Sequence, residues 1–219
     1  MNEKKDSKNS IILIQSRSNS SRLPAKALLP ICDMPMVVLV AKRAANSGKR
    51  VLVVTSENES DDLLCKYLKT SHIEYFRGSL DNTLDRFIMA LSDFNDDTII
   101  HRLTADNVFP DGNLVDEIEQ DFISKRAEYL MCNGIKSGLP YGLSVETFRL
   151  ISLREAYKET NLPYDLEHVT PYIRRNKVVT IFDKYLHLDL GSYSCTIDTY
   201  YDYQSINKVF DDVEDAVKI

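Results

Sequence analysis

The sequence lacks several features that would point to common classes of protein. Its four cysteines, Cys32, Cys65, Cys132 and Cys195, form no Cys-x-x-Cys pair, so neither a zinc site nor a disulfide framework is predicted. The formal net charge of −6 argues against a general nucleic-acid-binding surface, which needs a basic face. The chain shows no secretory signal and no apolar run near the roughly 20 residues that span a bilayer. We therefore expect a soluble, cytoplasmic protein.

What the sequence does have is a regular alternation of strand and helix patterns. Apolar runs typical of buried parallel strands alternate with amphipathic segments; the strands are expected at 11–14, 51–55, 73–76, 98–103 and 128–132, and the helices at 35–45, 61–68, 81–91 and 113–123. This order predicts an α/β fold with a mostly parallel central sheet between helices. We expect a single domain over 10–219, preceded by a disordered polar tail at 1–9.

The alternation is interrupted in the second half of the chain. Three glycines and a proline cluster at 134–142, and residues 178–190 have the pattern of paired strands. Residues 200–210 have the pattern of a closing helix. From this interruption we form the hypothesis that an excursion over about 134–190 serves dimerisation.

The loop after the first apolar run is the most informative segment. It carries three cations, Arg17, Arg22 and Lys26, within ten residues. Ligands of open α/β sheets lie beyond the carboxyl ends of the strands, and guanidinium and ammonium groups placed there can bind a polyphosphate. The loop contains no glycine, so it is neither a Walker P-loop nor a dinucleotide-binding fingerprint. The alternative interpretation is a solvated basic loop.

Two isolated acids suit a divalent cation. Asp106 comes shortly after the strand predicted at 98–103, and Asp198 follows a short β-prone run. Carboxylates are ligands that Mg²⁺ prefers, and this ion keeps several waters, so two carboxylates and a triphosphate could complete its shell. The alternative for Asp106 is a turn or helix-capping residue, where Asp is common.

Six segments, in order along the chain, resemble the CMP-sugar-acid cytidylyltransferases, which include CMP-KDO synthetases and acylneuraminate cytidylyltransferases. The branch that the chain resembles most is the SpsF type of spore coat polysaccharide biosynthesis. The segments carry Arg-Leu-Pro-Ala-Lys in the cationic loop and Glu-His-Val-Thr-Pro later on; they are 15–26, 76–79, 84–87, 102–106, 166–173 and 196–199. The resemblance implies a Rossmann-like nucleotidyltransferase fold, a homodimer, and Mg²⁺-dependent transfer of CMP from CTP to a sugar or sugar acid.

The resemblance also implies roles for individual residues. Arg17, Arg22 and Lys26 would bind the triphosphate and act in catalysis, and Asp106 and Asp198 would bind Mg²⁺. The further nucleotide-binding residues would be Gln15, Ser16, Ser20, Arg77, Arg102 and Asp106, although Arg77 and Arg102 could line the substrate pocket instead. Glu146 and His168 would face the acceptor, and His168 could orient or deprotonate the attacking hydroxyl. A structural histidine is the alternative for His168, and solvated charge is the alternative to a carboxylate contact for Arg174 and Arg175.

The chain departs from the family pattern at a few positions. Asn19, Ala25 and Ala105 stand where the family usually has glycine, and Ser144 stands where it commonly has an acid. The charged residues are kept, so the catalytic interpretation stands. Two other interpretations remain open. The chain could use another nucleoside triphosphate with a sugar 1-phosphate, or it could be a catalytically weak nucleotide-binding paralogue that assists a partner enzyme.

Overall fold

The computed structural model describes residues 10–218, so the tail predicted at 1–9 lies outside the described residues. The strands are β1 (Ser10–Gln15), β2 (Pro30–Ile31), β3 (Met34–Pro35), β4 (Val51–Ser56), β5 (Tyr75–Gly78), β6 (Ile99–Thr104), β7 (Tyr129–Cys132), β8 (Val145–Arg149) and β9 (Val179–Ile181). The helices are α1 (Met36–Ala44), α2 (Asp62–Thr70), α3 (Thr83–Ala90), α4 (Gly112–Ser124), α5 (Leu150–Glu159), α6 (Pro163–His168), α7 (Pro171–Asn176) and α8 (Tyr200–Val209). The strands and helices predicted before residue 133 are all present.

Seven strands form one sheet in the order β5-β4-β1-β6-β8-β7-β9. The strands β5, β4, β1 and β6 pair in parallel, and β9 is parallel to β7. Only β8 within this sheet of the described chain runs antiparallel to its neighbours, β6 and β7. The predicted α/β fold with a mostly parallel sheet is therefore confirmed.

The core lies on both faces of the sheet. Ile12 and Ile14 of β1 pack into one apolar cluster with residues of α1 and α4, whereas Ile11 and Leu13 pack into another with residues of α3 and α5. All four side chains are fully buried, and each contributes about 1.5–3 kcal/mol by leaving water. Because helices cover both faces, β1 reads as a continuous apolar run without polar alternation.

Two features of the second half differ from the sequence-based expectation. The pattern did not predict β8, because Glu146 and Thr147 interrupt its apolar character. The prediction of paired strands at 178–190 is wrong. Strand β9 pairs with β7, and the chain then forms a short 3₁₀ helix, Leu186–Leu188. Helices α5, α6 and α7 occupy much of the expected excursion, and α6 packs against α3.

The loop after β1 and the residues after β6 meet at one edge of the sheet. These two strands are neighbours in parallel register, with Gln15 opposite Thr104, so their carboxyl ends coincide. Helix α6 reaches this edge, since Glu167 and His168 line the same cleft as the loop. Among residues 10–218, no helix combines the length and the apolar character needed to cross a membrane.

Candidate functional site

A buried carboxylate holds the start of the cationic loop in place. Asp61 is fully buried and accepts hydrogen bonds from the backbone N–H groups of Ser18 at 2.7 Å and Ser56 at 3.1 Å, and from the Ser56 hydroxyl. Burial raises the pKa of the Asp61 carboxyl, but these hydrogen bonds outweigh it and hold the pKa below its ordinary value. The ionised carboxylate therefore ties the loop to the end of β4. The sequence does not reveal this role, because paired acids before a helix are common.

One residue near the end of the cationic loop, Ala25, has a left-handed backbone conformation. Ala25 has a φ of 56° and donates its N–H to the carbonyl of Ser18 at 2.9 Å, and a 3₁₀ turn over Lys26–Leu28 follows. A left-handed non-glycine residue costs roughly 1–2 kcal/mol. Asn19 and Ala105 also stand where the resemblance expects glycine, but neither has a positive φ. Backbone strain from these three substitutions is thus confined to Ala25.

Lys26 lies at the centre of a cluster of opposite charges. Its Nζ atom is 2.9 Å from Oδ2 of Asp106 and 2.9 Å from Oδ1 of Asp198. It also donates to the carbonyl of Ile197 at 2.9 Å. Arg22 approaches the same Oδ1 atom of Asp198 at 2.8 Å. The structure therefore brings the two predicted metal-binding acids together, against two cations of the loop.

The two acids meet because the chain returns to the end of β6 after residue 195. The backbone N–H of Ile197 donates to the carbonyl of Asp106 at 2.9 Å, and Asn107 forms an isolated antiparallel bridge with Thr196. A capping box at the start of α8 holds the residues that follow Asp198. Backbone hydrogen bonds thus place Asp198 beside Asp106.

Two clefts lie at this edge of the sheet. The first has a volume of about 320 Å³ and lies between the cationic loop, the end of β6 and α6. Most residues predicted to bind nucleotide line it, including Gln15, Ser16, Arg17, Ser20, Arg22, Lys26 and Asp106. Arg17 forms an ion pair with Glu167 of α6 at 3.3 Å, and both side chains are substantially exposed. The cleft is thus rich in cations at the edge where a phosphate ligand is expected.

A second cleft of about 220 Å³ adjoins the first. Thr104 and His168 line both clefts. The second is otherwise polar; its lining includes Arg102, Asn133, Tyr141, Ser144, Glu146, Tyr164, Thr170 and Arg174. The two clefts therefore adjoin at Thr104 and His168.

Glu146 lines the second cleft. Its carboxylate accepts hydrogen bonds from the hydroxyls of Tyr129 at 2.6 Å and Thr170 at 3.0 Å, and it pairs closely with Arg102. Burial raises the pKa of the Glu146 carboxyl, but the charge of Arg102 and these bonds lower it overall. Glu146 therefore remains ionised, and most of its hydrogen-bonding capacity is used within the protein.

A strained turn separates His168 from Thr170. Val169 has φ 72° and ψ −55°, and the N–H of Thr170 donates to the carbonyl of His168 at 2.8 Å. This is a γ-turn with positive φ, a rare geometry, and it is more costly still for a β-branched residue. Val169 is fully buried in the core, and this packing holds the turn. The turn places His168 and Thr170, on either side of the buried Val169, at the second cleft.

Comparison with known proteins identifies the family. The family model described as Cytidylyltransferase matches residues 11–214, nearly the whole chain. The chain is a cytidylyltransferase by family. It is also 32% identical over 91% of its length to uncharacterized protein MJ1063 of Methanocaldococcus jannaschii, covering 83% of that protein. It is 28% identical over 91% of its length to the spore coat polysaccharide biosynthesis protein SpsF of Bacillus subtilis, covering 85% of it.

Solved structures share the fold of this cytidylyltransferase. A cytidylyltransferase structure from Leptospira borgpetersenii superposes with a TM-score of 0.82 at 30% identity, covering 91% of this chain and 85% of that one. A CMP:2-keto-3-deoxy-manno-octonic acid synthetase complexed with CTP superposes with a TM-score of 0.69 at 14% identity, covering 92% and 98%. The predicted resemblance to the cytidylyltransferases, and the Rossmann-like fold that it implied, are confirmed.

Two of the predicted nucleotide-binding residues lie outside the first cleft. Arg102 donates to Gln15 at 2.8 Å and pairs with Glu146, so it lies at the second cleft. Arg77 lines neither cleft. It donates to the carbonyls of Ser56 and Asn58, and it pairs with Asp62 at 2.8 Å. In this cytidylyltransferase Arg77 thus braces the connection between β4 and α2, and we leave it out of the proposed nucleotide site.

Proposed function

We propose that this cytidylyltransferase transfers CMP from CTP to a hydroxyl of a sugar or sugar acid, with release of pyrophosphate, for a surface polysaccharide. The observation that carries the proposal is the pair of adjoining clefts that share His168. The first is lined by Arg17, Arg22, Lys26 and Asp106, with Asp198 held against Lys26 beside it, and the second is mostly polar. The similarity to SpsF, a spore coat polysaccharide biosynthesis protein, supports the product class, and the CTP-bound structural neighbour supports the nucleotide. We propose a cytoplasmic location, because CTP is available there.

Arg17, Arg22 and Lys26 would bind the triphosphate. The acceptor oxygen attacks the α-phosphorus while pyrophosphate leaves in line, and negative charge grows on the oxygens around both groups. Guanidinium and ammonium groups held at the cleft stabilise this charge, and removing one such fixed contact costs several kcal/mol of transition-state stabilisation. No nucleophilic side chain is needed, because the substrate hydroxyl is itself the nucleophile.

Asp106 and Asp198 would hold Mg²⁺. Their fit is supported by the way their oxygens already surround one cation, the ammonium of Lys26. No group of three or more His, Cys, Asp or Glu side chains suited to a metal is found among residues 10–218, so the proposed ion would depend on waters and phosphate oxygens for its remaining ligands. When bound, Mg²⁺ would neutralise charge on the phosphate oxygens.

His168 would orient the acceptor hydroxyl or take its proton. It lines both clefts, and its ring lies 4.3 Å from the ring of Tyr164, centre to centre. An imidazole can accept a proton near neutral pH, which suits a general base. Glu146 would act mainly by positioning, since its carboxylate holds Arg102 and Thr170 at the wall of the acceptor cleft.

The charges of the acceptor cleft favour a substrate that carries a negative group. The charge of Arg102 is offset by Glu146. Arg174 also lines this cleft, and no ion pair of Arg174 is found within residues 10–218. The charge of Arg174 helps to lower the pKa of Glu146, but a guanidinium that forms no ion pair within the described residues can still bind a carboxylate at this cleft. Among the two acceptor types, we therefore propose a sugar acid before a neutral sugar.

We propose that the enzyme is a homodimer. Exposed apolar side chains gather on the 3₁₀ segments around 134–137 and 186–188 and on the chain that follows each of them; they are Ile135, Tyr141, Leu186, Leu188, Leu190 and Tyr193. A second copy would cover this patch. Light scattering after gel filtration measures the mass directly, and a monomer at working concentration would contradict the proposal.

The reaction is tested by measuring pyrophosphate release with each nucleoside triphosphate and a panel of acceptors. We expect release that requires CTP, a divalent ion and a sugar or sugar acid. Turnover with UTP or dTTP and a sugar 1-phosphate, but not with CTP, would contradict the proposal. Saturable CTP binding without pyrophosphate release from any acceptor would indicate a nucleotide-binding paralogue instead.

A further inference from the structure

All three donors of the Lys26 ammonium are used within the protein, two of them by the acids proposed to bind metal. A lysine has three N–H donors. Lys26 uses one for Asp106, one for Asp198 and one for the carbonyl of Ile197, all at 2.9 Å. Its side chain is 13% exposed, so water does not compete freely for these donors. Lys26 thus has no donor left for a phosphate oxygen unless it gives up one of these bonds.

We propose that Lys26 couples metal binding to nucleotide binding by occupying the metal's position in the nucleotide-free enzyme. The ammonium already bridges one oxygen of each acid, and a divalent ion that bridged Asp106 and Asp198 would meet its charge at close range, so the two cations compete for the pair. The triphosphate offers Lys26 a more highly charged partner and draws it off the acids. The inference rests on the proposed function, because it takes the nucleotide to be a triphosphate bound at the first cleft.

The competition favours the ammonium until the nucleotide arrives. Two carboxylates alone supply few of the six ligands that Mg²⁺ demands, and this ion sheds its water reluctantly. The lysine is tethered beside the acids, so its effective concentration is high. The nucleotide reverses both conditions, because its phosphate oxygens complete the metal's shell and also bind the lysine. Arg22 can follow, since its side chain is 66% exposed and contacts only Asp198 of the pair.

The test measures Mn²⁺ binding to the nucleotide-free protein, using the electron paramagnetic resonance signal of the free ion. Lys26→Met keeps the length of the side chain but removes its charge and donors. We expect Lys26→Met to bind Mn²⁺ at least about tenfold more tightly than the parent, because a unit charge at hydrogen-bonding distance no longer opposes the ion. Binding to Lys26→Met that is equal to or weaker than that of the parent would overturn the proposal.

Two controls assign the ion to this site. Adding Asp198→Asn to Lys26→Met should abolish the gain. Lys49 is a matched lysine, since it also bridges two acids, Asp116 at 3.0 Å and Glu119 at 2.6 Å, and is also 13% exposed. Any Mn²⁺ binding that Lys49→Met creates should not respond to Asp198→Asn. A gain in Lys26→Met that persists with Asp198→Asn would contradict the assignment.

A second measurement uses the unaltered protein, in case Lys26→Met does not fold. The ¹⁵N resonance of the Lys26 ammonium should shift when CTP is added without metal and stay unchanged with Mg²⁺ alone. A shift with Mg²⁺ alone would overturn the proposal. Pyrophosphate release by the parent separates the two hypotheses. If the parent turns over while the Lys26 tests fail, only this inference falls. If the Lys26 tests succeed without turnover on any acceptor, only the proposed reaction falls.

Discussion

At the scale of a single residue, His168 is the side chain proposed to act that lines both clefts. Its neighbour Val169 is held in a strained turn, and the next residue, Thr170, bonds to Glu146. Strain of this kind persists only where surrounding packing determines the conformation, and it is concentrated at functional sites. The imidazole is therefore presented to both clefts from a backbone with little freedom to move.

Replacing His168 tests its part in the proposed reaction. We expect His168→Ala to lower kcat by about two orders of magnitude, which is typical for loss of a general base, and to leave the Kd for CTP unchanged. Steady-state pyrophosphate release and a CTP titration measure the two quantities. The exposed His187 is the control, since His187→Ala should change neither. An unchanged kcat in His168→Ala would contradict the role as general base and indicate that His168 is a structural residue.

Arg174 carries the expected preference for a negatively charged acceptor. A charge-assisted hydrogen bond contributes roughly 1.5–3 kcal/mol, so Arg174→Gln should raise the KM for a sugar acid by about tenfold or more. The KM for CTP should stay the same. Arg126, an exposed arginine between α4 and β7, is the matched control for loss of charge. Equal effects of Arg174→Gln on a sugar acid and its neutral methyl ester would contradict a carboxylate contact.

At the scale of elements, the position of the cationic loop depends on Asp61, a residue that is distant from the loop in sequence. Asp61 is the last residue of the short 3₁₀ helix Glu59–Asp61, directly before α2, and it accepts hydrogen bonds from Ser18 of the cationic loop and from Ser56 at the end of β4. One carboxylate thus ties the loop after β1 to the end of the parallel strand β4. The position of Arg17 in the first cleft follows from this anchor.

Asp61→Asn should therefore loosen both the fold and the nucleotide cleft. The amide places donors against buried N–H groups, which costs about 1–3 kcal/mol in the free energy of unfolding. Urea unfolding and a CTP titration measure the two effects. Asp62→Asn is the control, since Asp62 is largely exposed and pairs only with Arg77 among the ion pairs described for residues 10–218.

The pH dependence of Asp61 gives a further check on the same variant. The pKa of this carboxyl is lower in the folded protein than in the unfolded chain, so its contribution is present above the unfolded pKa and is lost as the pH falls through the folded pKa. The difference in unfolding free energy between parent and Asp61→Asn should shrink in acid. A difference that grows as the pH falls would contradict an ionised Asp61.

At the scale of the whole molecule, a buried polar network ties the sheet to α4. The fully buried His101 of β6 bonds to Thr147 of β8 at 2.9 Å and to Glu119 of α4 at 2.8 Å. Glu119 also binds Lys49 at 2.6 Å. Burial lowers the pKa of His101. Burial raises the pKa of Glu119, but the hydrogen bonds of Glu119 to His101 and Lys49 outweigh it and lower that pKa to about 2. The network therefore holds a neutral histidine beside an ionised acid.

This network makes the stability of the molecule sensitive to acid. The unfolded chain binds a proton at His101 that the folded protein does not, so stability is lost as the pH falls below about 6.5. We expect His101→Gln to flatten the fall in unfolding free energy between about pH 7 and 5. Urea unfolding at a series of pH values measures it, with His187→Gln as the exposed control. Parallel pH profiles for His101→Gln and the parent would refute this role.

Local patterns were enough to predict much of this protein. The apolar runs predict β1, β4, β5, β6 and β7, because strands covered by helices on both faces must be continuously apolar. The cationic loop and the two acids were also predicted as parts of one site, through strand-end chemistry and the family resemblance. The tail, the extent of the domain and the catalytic roles of the site residues stay predictions.

Only the tertiary structure decided which polar residues meet. Asp61 and β8 carry no distinctive local signal, since a helix-leading acid and a short mixed strand are common in any sequence. Arg77 and Arg102 are both arginines within strands of the same sheet, yet Arg77 braces the connection between β4 and α2, whereas Arg102 reaches the acceptor cleft. Such partners are distant in sequence, and short-range periodicity contains no information about them. The local pattern therefore determined the elements and their chemistry, whereas packing of the sheet decided which side chains share a cleft.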